Sequence, residues 1–260
     1  MDLSYWRKQD PKEPLFPDII WSRPESSQNS GKLAIIGGHS HGFGAPGGAY
    51  TEALDAKIGV CKVLLPDAIK KTVKYMLPDA DYGPSNPSGS FSKQALANLL
   101  DISAWSDGVL LAGDMGRNSE TAILLENYVN KYSGLLMITQ DAADYFRFFP
   151  QLLMNRLNTI LVISLAQLQK IFINAPLMTP ITYGMTQPQL AEALHQFTDK
   201  FPITIVVKHQ ELIFVAHAGQ VVSTSNTNMP WRVRTAGKAI VYWIQNPSQP
   251  LESISTSLTI

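Results

Sequence analysis

A glycine-rich loop between two apolar segments is the feature of this chain that most constrains its fold. An apolar stretch over 33–36 leads into six glycines within 37–48, and a small-residue helical segment then leads to a second apolar stretch over 60–65. The first stretch shows no alternation with polar residues, which is typical of a strand covered by helices on both faces. The pattern predicts a βαβ unit and therefore an α/β fold. The glycines either let backbone amides approach a ligand or form a tight turn that binds nothing.

Strand-like and helix-like segments alternate along the rest of the chain, which indicates parallel strands joined by crossover helices. Residues 83–90 are predicted to form an exposed loop before a helix that starts near Ser92. After a predicted helix over 187–197, three short apolar runs within 203–225 favour an antiparallel edge on the sheet. The other predicted strands lie near 108–112, 135–139 and 159–164, and the other predicted helices near 119–132 and 165–172.

The first thirty residues differ in composition from the rest. They contain four prolines and the polar run "ESSQNS", which favours an extended arm over a folded unit. Trp6, Phe16 and Trp21 predict that this arm docks on another surface. The predicted organisation is therefore an extended N-terminal arm over 1–30 and one α/β domain over 31–260.

Charge and cysteine content limit the classes of function. Lys plus Arg equals Asp plus Glu at 21 each, so no global field favours nucleic acid or an anionic membrane. Cys61 is the single cysteine and lies in a predicted strand, where a core role is expected. No segment reaches the ~18 apolar residues of a membrane span. A cytoplasmic protein without nucleic-acid or membrane partners is predicted.

The first glycine loop supplies candidate substrate-binding residues: Gly38, His39, Gly44 and Ala45. His39 and His41 lie two residues apart, but no nearby Cys, Asp or Glu completes a set of metal ligands. These histidines are expected to line a pocket, and no metal site is predicted.

A second glycine loop, "AGDMGR" over 112–117, follows a predicted strand and precedes a helix. Gly113 and Gly116 lie where free amides and the helix dipole favour a phosphate, and Arg117 adds a fixed positive charge. Asp114 is expected either to pair with Arg117 or to cap the helix. The alternative is a helix cap beside a surface arginine, with no ligand.

Two further residues lie at predicted strand ends. Asp141 has the position of a ligand-binding residue at the carboxyl edge of a parallel sheet, although it is also a suitable N-cap. Lys208 ends an apolar strand, so its ammonium group must reach either a nucleotide or solvent. No catalytic residue is assigned.

In these segments the chain resembles the ADP- or ATP-dependent NAD(P)H-hydrate dehydratases. The opening 35–66 is similar to their first strand, glycine loop and alanine-rich helix, and 107–121 to their "GPGLGR" segment. The stretch 135–146 is similar to their strand with an aspartate-rich turn, and 205–222 to the stretch with the nucleotide-contacting lysine. The resemblance covers about 31–245 and implies a ribokinase-like three-layer αβα fold.

The chain also departs from that family. Ser164 stands where the family has a histidine, and Gln167 where it has a glutamate. The family's GxGD turn forms an anion hole with its amides and uses its aspartate as a base. Its best match is 234–244, where Gly237 and Lys238 are candidate nucleotide-binding residues but no carboxylate is present. Loss of a general base typically slows a reaction about 10²-fold to 10⁴-fold.

Two classes of function remain. The resemblance implies either a divergent relative that binds a nucleotide or phosphate-bearing ligand with lost or altered catalysis, or an active hydro-lyase that repairs NAD(P)H hydrate, with Lys238 or Asp141 as substitute groups. A small-molecule kinase is a third alternative. The implied cofactor is ADP or ATP, with or without Mg²⁺, and the implied substrate of an active enzyme is NAD(P)H hydrate. A homo-oligomer is also expected.

Overall fold

Ten strands form one continuous sheet in the part of the chain that the structure describes. The structure is a computed structural model covering residues 3–173, 180–226 and 230–259, with all side chains in these ranges except those of Phe148 and Phe172. The strands are β1 (Trp6–Gln9), β2 (Lys32–Gly37), β3 (Val60–Pro66), β4 (Asp81–Gly83), β5 (Gly108–Gly113), β6 (Leu135–Thr139), β7 (Thr159–Ser164), β8 (Thr204–His209), β9 (Leu212–His217) and β10 (Gln220–Ser225).

Helices connect and cover these strands. They are α1 (Asp18–Trp21), α2 (Gly44–Asp55), α3 (Lys70–Val73), α4 (Leu96–Trp105), α5 (Ser119–Lys131), α6 (Gln151–Met154), α7 (Leu165–Phe172), α8 (Gln187–Lys200), α9 (Trp231–Gln245) and α10 (Pro250–Ser257). Short 3₁₀ segments span Ser27–Asn29, Asp67–Ile69, Lys93–Ala95 and Gln140–Phe148. No helix among the described residues is long and apolar enough to cross a membrane.

The strand order is β1-β10-β9-β8-β7-β6-β5-β2-β3-β4. Strand β9 runs antiparallel to both of its neighbours, and all the other pairs are parallel. The predicted mostly parallel sheet with an antiparallel edge is confirmed. In β6 and β7, the predicted bounds coincide with the observed ones because both strands are apolar segments with clear polar boundaries.

Side chains on the two faces of the sheet enter two separate apolar cores. Leu33 and Ile35 of β2 pack with residues of α2, α9 and α10, whereas Ala34 and Ile36 pack with residues of α4, α5 and α8. This alternation is the period of a strand covered on both faces. The molecule is therefore a three-layer αβα structure.

The N-terminal segment is built into the sheet. Strand β1 pairs in parallel with β10, so that Trp6 lies opposite Val221. The Trp6 indole donates to Ser223 Oγ at 2.9 Å, and Gln9 Nε2 donates to the Ser255 carbonyl at 2.7 Å. Residues 6–9 contain only one apolar side chain, so sequence periodicity did not predict this strand.

Candidate ligand-binding site

The carboxyl ends of β2, β5, β6 and β7 lie side by side, and the loops that follow them form the candidate site. This is the edge of a parallel sheet where ligands bind in α/β proteins. In the first loop, the His39 and Gly42 amides each donate to the other residue's carbonyl, at 2.9 and 3.0 Å. His39 Nδ1 is buried and has no hydrogen-bond partner among the described residues. The loop therefore forms a closed turn that holds the His39 ring beside Gly116, whose added Cβ would lie 3.5 Å from His39 Cδ2.

Asp114 joins the first and second loops. Its Oδ2 accepts the Ala45 amide at 2.7 Å, so the carboxylate binds the N-terminus of α2. The expectation that Asp114 caps the helix after its own loop is wrong, because Asn118 Oδ1 accepts the amides of Glu120 and Thr121 at the start of α5. An ion pair between Asp114 and Arg117 is not found in the described part of the chain.

The second loop is held in a left-handed backbone conformation. Gly113, Asp114 and Gly116 have φ values of 105°, 55° and 72°. A Cβ on Gly113 would lie 2.5 Å from Gln140 Cβ, so β5 ends in close contact with the residue that follows β6. This close approach explains why glycine is needed at position 113.

Asp141 lies at the centre of the site. Its Oδ2 accepts the Met115 amide at 3.0 Å, while its Oδ1 is buried without a hydrogen-bond partner among the described residues. Burial, with a smaller contribution from the charge of Asp114, raises the pKa of Asp141 above its usual range, although nearby backbone amides oppose this. A buried carboxylate oxygen without a hydrogen-bond partner favours the protonated form of the carboxyl group.

A cavity of about 390 Å³ opens beside Asp141. Such a volume lies within the range of small-molecule sites. Three basic side chains from different elements contribute to its lining, and Lys170 Nζ lies 4.0 Å from Asp144 Oδ1. Tyr145 also lines the cavity, and its hydroxyl donates to the Gly116 carbonyl. The lining residues are Gly116, Arg117, Asn118, Ser119, Ala122, Asp141, Asp144, Tyr145, Arg147 and Lys170.

The segment 84–92 borders this site. It overlaps the loop 83–90, which the sequence predicts to be exposed, but Asn86 and Ser90 are buried. The Ser40 amide donates to the Gly89 carbonyl at 2.9 Å, and an added Cβ on Gly116 would lie 2.6 Å from Ser90 Oγ. Asn86 Oδ1 accepts the amides of Ser88 and Ser90, so the turn is rigid. Its proline and serine content obscured this role, because polar turn residues do not distinguish a solvated loop from a packed one.

Ser164 and Gln167 form a capping box at the start of α7. The Gln167 side chain also donates to the Gln140 carbonyl at 2.7 Å and accepts from Arg232 Nη1 at 2.9 Å. The Ser164 and Gln167 side chains thus hydrogen-bond to each other, and Gln167 holds Arg232 near the residue that precedes Asp141. Sequence reasoning missed Arg232, since nothing in the local pattern distinguishes it from Arg234, the other arginine in the first turns of α9.

The other predicted nucleotide contacts belong to β8 and α9. Lys208 is the penultimate residue of β8, lies opposite Ser164 and is half-buried. The expected glycine turn at a helix N-terminus near Gly237 is wrong, because α9 begins at Trp231 and Gly237 is buried against Ala49 of α2. Lys238 lines a separate cavity of about 140 Å³ with Glu52 and Arg234, and burial lowers its pKa.

Comparison with known proteins identifies the architecture. No family model matches the chain, and a search of curated proteins finds no match. Among solved structures, a ribokinase-like superfamily protein from Enterococcus faecalis matches over 100% of this chain and 87% of its own, at a TM-score of 0.74 and 16% identity. This chain has a ribokinase-like fold.

Two other solved structures with a similar fold are of enzymes with a stated activity. An ADP/ATP-dependent NAD(P)H-hydrate dehydratase from Bacillus subtilis, co-crystallised with ATP/Mg²⁺ and soaked with CoA, matches over 94% of this chain and 85% of its own, at a TM-score of 0.64 and 14% identity. An ADP complex of pyridoxal kinase from Bacillus subtilis matches over 87% and 88%, at a TM-score of 0.54 and 12% identity. At such identities the likeness shows the ribokinase-like fold.

Replacing Asp141 with asparagine tests the environment of this carboxyl group. In the folded state the pKa of Asp141 is raised above its ordinary value of 3.8. Ionisation of this carboxyl group therefore destabilises the folded state, and the loss of stability grows as pH rises from 3.8 through the folded-state pKa. The melting temperature of Asp141→Asn is therefore expected to exceed that of the wild type at neutral pH, and this difference should become smaller in acid. Melting curves across pH measure this.

Asp144→Asn is the matched control, since the Asp144 side chain is 43% exposed in its contact with Lys170. It should show no comparable gain at neutral pH. An Asp141→Asn variant that loses the same stability at every pH would contradict the raised pKa.

Proposed function

We propose that this chain binds a phosphate-bearing ligand, with ADP or ATP as the first candidates, at the carboxyl edge of its sheet, and that its catalysis is lost or altered. The observation that carries this proposal is the cavity of about 390 Å³ beside Asp141, to which Arg117, Arg147 and Lys170 contribute positive charge. Arginine and lysine side chains are the usual partners of phosphate groups.

Backbone groups near the cavity support an anionic ligand. Gly116, Arg117 and Ser119 have amides without hydrogen-bond partners among the described residues, next to the N-terminus of α5. Asn118 already satisfies two amides of the first helical turn, so the ligand would contact the loop amides and basic side chains more than the helix itself.

Loss of the usual base supports altered catalysis. Helix α9 contains no acidic residue, and Glu252 is the sole Asp or Glu after Glu211 in the sequence. The charge of Glu252 opposes the lowering of the His217 pKa by burial. His217 Nδ1 lies 2.8 Å from Thr204 Oγ1 at the opposite edge of the sheet. Proton transfer by a carboxylate of α9, as the resemblance to the dehydratases would require, therefore has no group to perform it there.

Asp141 favours the second candidate function, an active NAD(P)H-hydrate dehydratase. A buried carboxyl group with a raised pKa and an unpartnered oxygen is better suited to proton transfer than an exposed carboxylate. Lys238 is a weaker substitute because it lies with Glu52 and Arg234 in the separate cavity. A kinase acting on a small molecule would meet the same need for a base.

Thermal denaturation with ATP, ADP and adenosine, each with and without Mg²⁺, tests binding. ATP or ADP is expected to raise the melting temperature and adenosine to have a smaller effect, because the basic side chains contact phosphate. At a concentration 100 times Kd, the stabilisation should reach about 2.7 kcal/mol. The proposal would be contradicted if ATP, ADP, pyrophosphate and NADPH, each added separately, all left the melting temperature unchanged.

Catalysis is tested by incubating the protein with NADPH hydrate and ATP or ADP. The reduced nicotinamide absorbance is expected to recover no faster than in buffer, while an active dehydratase serves as the positive control. Recovery that depends on both nucleotide and protein would instead establish the dehydratase activity, and its loss in Asp141→Asn would assign the proton transfer to Asp141.

A further inference from the structure

Arg232 is a half-buried guanidinium group at the carboxyl edge with most of its donors unused. It lies in the first turn of α9, and Nη1 donates to Gln167 Oε1 at 2.9 Å. A guanidinium group has five N–H donors. No other hydrogen bond or ion pair of Arg232 is found within the described residues.

The surroundings of Arg232 do not neutralise it by direct contact. Burial lowers its pKa, and the carboxylates of Asp144 and Asp141 act on it in the opposite direction. Neither carboxylate is in ion-pair contact with the guanidinium group in the described structure. Burying a charge with unused donors is costly unless a ligand of opposite charge completes the site.

Gln167 fixes the position of this charge. Its Oε1 accepts the Ser164 amide at 3.1 Å, and its Nε2 donates to the Gln140 carbonyl at 2.7 Å. The glutamine is therefore bonded to backbone groups that follow β6 and end β7. A guanidinium group attached to such an anchor is preorganised, which reduces the entropy lost when it binds an anion.

We propose that Arg232 is the principal phosphate-contacting residue of the site and that it binds the ligand's phosphate in a bidentate manner from the side of α9. This inference rests on the proposed function of the carboxyl edge. The proposed contact differs from a backbone anion hole because the positive group belongs to a side chain. Gln167 holds this side chain, and the carboxylates of Asp141 and Asp144 lie near it. Arg232 is not among the side chains that line the cavity of about 390 Å³, so this contact requires the ligand's phosphate to extend past Asp141 and Asp144 toward α9.

Arg234 provides a matched control on the same helix. It is exposed and binds Glu52 at 2.6 Å, in the separate cavity with Lys238. Removing its charge changes the net charge of the protein by the same amount as removing that of Arg232. The two variants therefore separate a specific contact from a general electrostatic effect.

The experiment is calorimetric titration of ATP and of inorganic pyrophosphate into the wild type, Arg232→Gln, Arg232→Lys and Arg234→Gln at several salt concentrations. Arg232→Gln is expected to weaken binding of both probes by about 10-fold to 100-fold, as for loss of charge-assisted hydrogen bonds. It should also reduce the dependence of Kd on salt. Arg232→Lys should be intermediate, since an ammonium group cannot bind in a bidentate manner, and Arg234→Gln should match the wild type.

The outcomes distinguish the two proposals. ATP binding by Arg232→Gln with wild-type affinity and salt dependence overturns the role of Arg232 and leaves the proposed function in place. Absence of binding in the wild type overturns both. If Arg232→Gln is poorly folded by circular dichroism, Arg232→Lys decides: wild-type affinity for pyrophosphate in that variant overturns the bidentate contact.

Discussion

Gly116→Val is expected to abolish nucleotide binding, so that ATP no longer raises the melting temperature. Gly116 has a φ of 72°, a conformation that a β-branched residue adopts only with strain. Its Cβ would lie 2.6 Å from Ser90 Oγ and beside His39, and its methyl groups would cover the loop amides. Thermal denaturation with increasing ATP measures the loss.

Gly184→Val is the control for this variant, because a Cβ on Gly184 would meet no atom within 4 Å. It should keep the stabilisation by ATP. Far-ultraviolet circular dichroism separates lost binding from lost folding, and Gly116→Ala provides a milder change at the same position. Unchanged stabilisation by ATP in folded Gly116→Val would exclude this loop from the site.

Gly237→Val is expected to cause the largest loss of stability among single changes in α9, about 3 kcal/mol, at the upper end of the range for overpacked cores. A Cβ on Gly237 would lie 2.7 Å from the Ala49 carbonyl oxygen and 2.9 Å from Glu52 Cβ. Helices α2 and α9 would therefore have to separate. Urea denaturation measures the change in the free energy of unfolding.

Gly47→Ala is the matched helical control, since its Cβ would make ordinary contacts of 3.6 Å with the Phe43 ring. It is expected to leave stability unchanged or to raise it by up to about 1 kcal/mol through helix propensity. At temperatures where Gly237→Val is folded, its affinity for ATP should equal that of the wild type. A weakened affinity with unchanged stability would instead make Gly237 a nucleotide contact.

Much of the fold was predictable because its strands are short apolar segments with clear ends. Segments such as β6 and β7 are buried on both faces, so their sequences are apolar without alternation. The antiparallel run β8 to β10 was predicted from its short connections. By contrast, β1 and β4 lie at the edges of the sheet, where fewer buried side chains are needed and the pattern is weak.

The candidate site was predicted in part. Gly38, His39, Gly113, Gly116, Arg117 and Asp141 lie at the ends of strands that are neighbours in the sheet, so the rule that ligands bind at the carboxyl edge located them. Lys238 was predicted to belong to the same site because 234–244 is the best match to the family's GxGD turn. In the structure, Lys238 lines the separate cavity together with Glu52 of α2 and Arg234 of α9.

By itself, the amino-acid sequence determined the βαβ units, their order along the chain and the sheet edge at which the candidate site lies, because burial on two faces and glycine turns leave local patterns. Only the tertiary structure decided that Asp114 binds the start of α2, that segment 84–92 packs against the glycine loops, and that Arg232 reaches Gln167. These contacts join residues far apart in the chain. Their partners are selected by the packing of helices and strands in three dimensions, which no local spacing of residues records.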